Sequence, residues 1–95
     1  MDLETTATFD KWIDGLRDTV GRARIQARID RLVDGNPGPH RSLMGGVYEL
    51  KIDVGPGYRV YYTQRGRVVI ILLAGGSKAT QRHDIRTAIL LAQRL

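Results

Sequence analysis

Apolar residues along this chain follow two rhythms, and the change from one to the other divides the sequence. Phe9, Trp12, Ile13 and Leu16 keep the i, i+3, i+4, i+7 spacing of a helix face, and Thr8 just ahead of them offers an N-cap hydroxyl. A second helix is predicted after Asp18, whose carboxylate caps it. There Ile25, Ile29, Leu32 and Val33 recur at helical spacing, and Gly35 supplies the left-handed residue that ends it. Arg24, Arg28 and Arg31 form the opposite side of this helix, which reads as a solvated face. The two helices make a hairpin, closed off by Gly35-Asn36-Pro37-Gly38-Pro39.

From residue 47 the period changes to 2, in β-rich runs at 47–54, 58–63 and 67–74. Gly55-Pro56-Gly57 and Gln64-Arg65-Gly66 separate them, and the simplest topology is an antiparallel meander. With Val54 facing Tyr58 across the first turn, Tyr48, Leu50, Ile52, Val54, Tyr58, Val60 and Tyr62 share the face that the helical hairpin covers. The other face then reads as polar, with Asp53 opposite Arg59, Lys51 opposite Tyr61 and Glu49 opposite Thr63. The third run is apolar on both faces and is expected to be a central strand covered on both sides. An amphipathic helix after Thr80, built on Ile85, Ala88, Ile89 and Ala92, supplies the second cover, and residues 2–7 are a candidate edge strand. The expected fold is α+β: an N-terminal helical hairpin on a small antiparallel sheet with a C-terminal helix, all of residues 1–95 in one domain.

Composition narrows the chemistry. The chain has 95 residues and no cysteine, so disulfides, thiolate metal sites and a cysteine nucleophile are excluded, and its two histidines lie far apart in sequence. No stretch reaches the roughly 18 apolar residues of a membrane span, and the first residues carry acids rather than a signal-peptide core, so a cytoplasmic protein without a membrane partner is expected. The net charge of +5 is unevenly spread. Residues 1–34 hold six Lys/Arg against seven Asp/Glu, whereas residues 35–95 hold nine against only Glu49, Asp53 and Asp84. The basic half suits a polyanion, and RNA is the candidate.

On the predicted polar face, Arg59, Tyr61 and Lys51 adjoin the loop Gly75-Gly76-Ser77-Lys78 and the following Arg82 and His83, with Arg65 as a further cation. Guanidinium and ammonium groups pair with phosphate oxygens, and a tyrosine ring stacks on an unpaired base. The same residues read equally well as cross-strand ion pairs, Arg59 with Asp53 and Lys51 with Glu49. If this groove cuts RNA, the ribose 2′-hydroxyl attacks its own phosphate. Arg59 and Arg82 then stabilise charge, while Lys51, Lys78, Tyr61 or His83 carries protons. His40 sits in the Gly/Pro loop, outside this set. Gly75-Gly76 lacks the GxxxxGK[ST] context of a nucleotide loop, and the three acids of the basic half are not spaced for a metal centre. The expectation is chemistry without metal or cofactor.

Three stretches carry a resemblance: Glu49-Leu50-Lys51-Ile52-Asp53, then Gly55-Pro56-Gly57-Tyr58-Arg59-Val60-Tyr61-Tyr62, and Leu72-Leu73-Ala74-Gly75-Gly76-Ser77-Lys78-Ala79-Thr80-Gln81 with Asp84-Ile85. Together they resemble the addiction-module killer branch of the RelE/ParE toxin superfamily, close to HigB-type toxins. The resemblance implies a type II toxin that cleaves translated mRNA at the ribosome. It also implies a cognate antitoxin, HigA-like with a helix-turn-helix, through which alone the toxin would meet operator DNA. By position, Arg59 matches the family's active-site strand arginine and Lys78 lies in the branch's Lys-Ser-Thr-Gln motif, where this chain has Ala79 in place of serine. Where several related nucleases place a C-terminal tyrosine, this chain has Ile85 or Leu91 rather than an aromatic. On these grounds the expected catalytic residues are Arg59, Lys78 and Tyr61, with Lys51, Arg65, Arg82 and His83 binding RNA. A ParE-like inhibitor of DNA gyrase and a non-catalytic partner of the antitoxin in operon repression are the alternatives.

Overall fold

The computed structural model describes residues 1–95. It contains strand β1 (Asp2–Thr5), helices α1 (Ala7–Gly15) and α2 (Thr19–Val33), strands β2 (His40–Ser42), β3 (Val47–Ile52), β4 (Tyr58–Arg65) and β5 (Val69–Ser77), and helix α3 (Gln81–Gln93). Short 3-10 turns at Met44–Gly46 and Lys78–Thr80 lead into β3 and α3. One five-stranded sheet runs in the order β1-β5-β4-β3-β2. The α+β class and the central antiparallel β3-β4-β5 meander agree with the sequence, but the sheet is larger and mixed. β1 pairs with β5 in parallel, and β2, too short to show a period, adds an antiparallel edge to β3.

Local chemistry accounts for the boundaries. Thr6, not Thr8, caps α1. Its hydroxyl accepts from the Phe9 N–H at 3.1 Å and donates to the Leu73 carbonyl at 2.6 Å, so one side chain starts the helix and ties it to β5. Asp18 caps α2 as expected, accepting from Gly21 N–H at 2.9 Å, and Gly35 follows the helix with φ 89°. The first hairpin departs from the expected register. Ile52 pairs with Tyr58, Lys51 with Arg59, Glu49 with Tyr61 and Val47 with Thr63, a slip of two residues. The connection takes in residues 53–57 rather than three. Val54 N–H bonds back to Ile52 and Gly57 N–H to Val54, while Gly55 and Gly57 adopt left-handed φ values of 56° and 77°. Because the slip is an even number, every side chain keeps its predicted face.

The sheet is covered on both sides. Phe9, Ile25, Ile29 and Leu32 of the helical hairpin pack on Leu50, Ile52, Tyr58, Val60, Tyr62, Ile70 and Leu72. On the far side Val47, Tyr61, Ile71, Leu73 and Ala74 pack under Ala88, Ile85 and Ile89 of α3. β5, apolar on both faces, therefore serves both cores. This second core overturns the expectation that the far face is simply polar: Tyr61, Thr63, Glu49 and Arg59 are all buried there. Gly75 and Gly76 allow both covers to approach β5. A Cβ at Gly75 would strike the Trp12 ring, and one at Gly76 would strike the Asp84 carboxylate and Thr80 hydroxyl. No helix is long and apolar enough to cross a membrane.

Candidate functional site

Between the β2 edge and the start of α3, the far face of the sheet opens into a cleft of ≈ 510 Å³ lined by Pro39, His40, Arg41, Glu49, Lys51, Arg59 and Gln81, none of them hydrophobic. The strands place these groups in rows. Arg41 of β2 lies opposite Glu49 of β3, which lies opposite Tyr61 of β4, and Lys51 lies opposite Arg59. Three cations therefore meet a single carboxylate, and the cleft carries an excess of positive charge.

Glu49 is the hub. Its side chain is 4% exposed and accepts from Arg41 Nε at 3.0 Å and Gln81 Nε2 at 2.8 Å, joining β2, β3 and α3. This ion pair raises the Arg41 pKa, the hydrogen bond to Glu49 contributing most. Arg59, with only 7% of its side chain exposed, donates from Nη1 to the carbonyls of Gly57 at 2.8 Å and Tyr58 at 3.2 Å. Its Nε lies 3.8 Å from Glu49 Oε1 and has no hydrogen-bond partner. The guanidinium is thus anchored on one side by backbone, faces a carboxylate on another, and keeps Nη2 free of protein hydrogen bonds. An arginine held this way is pre-oriented for an anion entering the cleft.

The sequence profile of the phage-derived Gp49-like proteins matches residues 11–95, from within α1 to the end of the chain and through every side chain of the cleft. The chain belongs to this family. The Gp49-like family is associated with toxin–antitoxin modules. An uncharacterized protein of Haemophilus influenzae is 48% identical to this Gp49-like chain over all of its 95 residues, which cover 96% of that relative.

Of the residues singled out from sequence, the Gp49-like fold brings Arg59 and Lys51 together in the cleft. Lys78 is exposed in the 3-10 turn before α3 and does not line the cleft, though its Cβ lies beside Gly57, whose carbonyl holds Arg59. Arg82 and His83 are exposed in the first turn of α3, outside the cleft that its first residue, Gln81, lines. Arg65 lies at the far end of β4, about 20 Å along the strand from Arg59, beside a separate depression with Glu4 and Leu95. Tyr61 is the clear correction. Its ring is 0% exposed under α3, so it cannot stack on a base, and burial, with the Glu49 and Asp84 carboxylates adding to it, pushes its phenol pKa well up. A phenol so placed is a poor proton carrier near neutrality. The expected pairings of Arg59 with Asp53 and Lys51 with Glu49 do not form either: Glu49 takes Arg41.

Arg41, Gln81 and the hub role of Glu49 escaped the sequence reading. Arg41 sits on a three-residue strand that no periodicity reveals, whereas Gln81 closes the Gly75–Gln81 motif and was the available signal. His40 also reaches the rim, its Nδ1 2.7 Å from the Gly38 carbonyl, although its register with Leu50 assigns it to the helix-hairpin side of the sheet.

Proposed function

We propose that this Gp49-like chain is the toxin of a type II toxin–antitoxin module: an endoribonuclease that cleaves translated mRNA on the ribosome and is neutralised by a cognate antitoxin. The observation that carries this reading is the buried Arg59 guanidinium, fixed by two carbonyls at the base of an all-polar, cationic cleft. Charge on the cleaved phosphate develops in the transition state, and a donor already desolvated and oriented stabilises it without reorganising. Arg59 takes that role, with Lys51 across the strand pair and Lys78, exposed in the turn before α3, drawing in the RNA backbone. Proton transfer from the attacking 2′-hydroxyl and to the leaving oxygen falls to the groups lining the cleft, Glu49 and Lys51, since Tyr61 is sealed in the core. A cleft lined by three cations and no hydrophobic side chain suits an RNA strand held by its phosphates, and the resemblance to HigB-type toxins supports a ribosome-bound substrate and a HigA-like partner.

Controlled expression in a bacterium tests this reading. Incorporation of labelled methionine should collapse within minutes of induction while plasmid supercoiling stays unchanged, and Arg59→Ala should restore growth. Loss of supercoiling with protein synthesis intact would replace the reading by gyrase inhibition.

A further inference from the structure

On the opposite side of the sheet from the cleft, α2 and the end of β3 enclose a groove of ≈ 280 Å³. Its floor is aliphatic, made by Ala27, Ile52 and Val54, and Arg24, Arg28 and Arg31 stand along its helical wall. The three arginines are not equivalent. Arg28 is half-buried and spent on backbone, donating to the carbonyls of Lys51 at 2.6 Å, Pro37 at 2.9 Å and Pro39 at 2.8 Å, so it fixes the groove's shape. Arg24 and Arg31 are exposed, and neither forms an ion pair, since both ion pairs of the fold are made by Glu49. Seven residues apart on one helix, they flank the floor with a separation of about 10 Å. Asp53 at the β3 lip is the one carboxylate lining the groove and directs an incoming anion to the helical wall.

We propose that this groove docks an acidic peptide segment that lays an apolar side chain on the Ala27–Ile52–Val54 floor between carboxylates paired with Arg24 and Arg31. The aliphatic floor argues for a peptide over RNA. It gives a base no aromatic platform to stack on and a phosphate no donor, whereas an aliphatic side chain gains from every apolar area it covers. The flanking guanidiniums set charge preference and register. The inference does not depend on the cleft's chemistry. The groove opens on the helix-hairpin side of β3 and the cleft on the α3 side, so a peptide seated here leaves Arg59 uncovered.

The test is an NMR titration of the ¹⁵N-labelled full chain with a helical peptide bearing glutamates seven residues apart on either side of a leucine. Saturable shifts are expected at Arg24, Ala27, Arg31, Ile52 and Val54. Affinity should fall about tenfold or more in the Arg24→Glu/Arg31→Glu double variant, whose thermal melt stays near wild type because both residues are on the surface. It should fall comparably when the peptide's leucine becomes serine, and stay unchanged in Lys51→Ala, which alters the cleft alone. Absence of saturable shifts in the groove, equal affinity for the serine peptide, or a single-stranded RNA oligonucleotide shifting the same amides would overturn the proposal.

Discussion

Arg59 is costly to bury, and its surroundings show how the cost is met. Two carbonyls and a nearby carboxylate replace part of its hydration, yet Nε has no partner and Nη2 bonds to nothing in the protein. Removing the countercharge should therefore unsettle both fold and site. Glu49→Gln is expected to lower unfolding free energy by about 1–3 kcal/mol in urea denaturation and to slow RNA cleavage. Tyr61→Phe makes the opposite prediction. The hydroxyl is buried without a hydrogen bond, so its loss should leave stability equal or slightly higher and cleavage within about twofold of wild type. A severe cleavage defect in Tyr61→Phe would return the hydroxyl to the chemistry. Arg59 and Lys51 were legible in the sequence because alternation assigned them to one face. The burial of Tyr61 and Glu49 was not, since the patterns of β4 and β3 say which face a residue takes but not how far α3 folds over that face.

At the scale of elements, the helices were read from their apolar spacing and the errors fell at edges. The Asp18 cap was visible because a carboxylate stood just before a helical run; its second role was not. Asp18 also accepts the Tyr58 hydroxyl at 2.7 Å, linking α2 to the start of β4 across 40 residues. The Gly21 N–H, and after it the Tyr58 hydroxyl, lower the Asp18 pKa. A carboxyl whose folded pKa is depressed adds stability that is complete above its ordinary value of about 3.9 and is lost as pH falls through the lower folded value. Asp18→Asn should flatten the acid side of a stability–pH curve followed by circular dichroism; an unchanged acid limb would show that the cap does not couple to titration. The glycine pair was read in sequence as part of a loop, without the context of a nucleotide site; the structure places both glycines in β5, where close contacts give them a packing role. Gly75→Ala and Gly76→Ala should each cost about 1–3 kcal/mol from overpacking, Gly75 through the Trp12 ring of α1 and Gly76 through Asp84 of α3, as thermal melts would show.

Over the whole molecule, the two-residue slip of the first hairpin and the unexpected edge strand β2 explain why the candidate site was only half legible; the edge strand expected within residues 2–7 forms as β1. The slip kept faces intact, so the cationic character of the cleft survived, while partners changed: Arg59 met Lys51 and Glu49 rather than Asp53. β2 brought in Arg41, eight residues before Glu49 but on a strand that no periodicity reveals, and the start of α3 brought in Gln81 from 32 residues beyond it. With +5 net charge and its excess in the second half, binding of single-stranded RNA should weaken with salt at a log–log slope near −0.7 for each phosphate neutralised. Lys51→Ala should reduce that slope by about one such step. The central claim, that an oriented Arg59 makes this chain a ribosome-dependent nuclease, is tested most directly by primer extension on a reporter mRNA in a purified translation system, comparing wild type with Arg59→Ala, with and without ribosomes. Discrete cuts that require both ribosomes and Arg59 are the predicted result; mRNA left intact by the folded wild-type protein, or cuts that persist in Arg59→Ala, would contradict it.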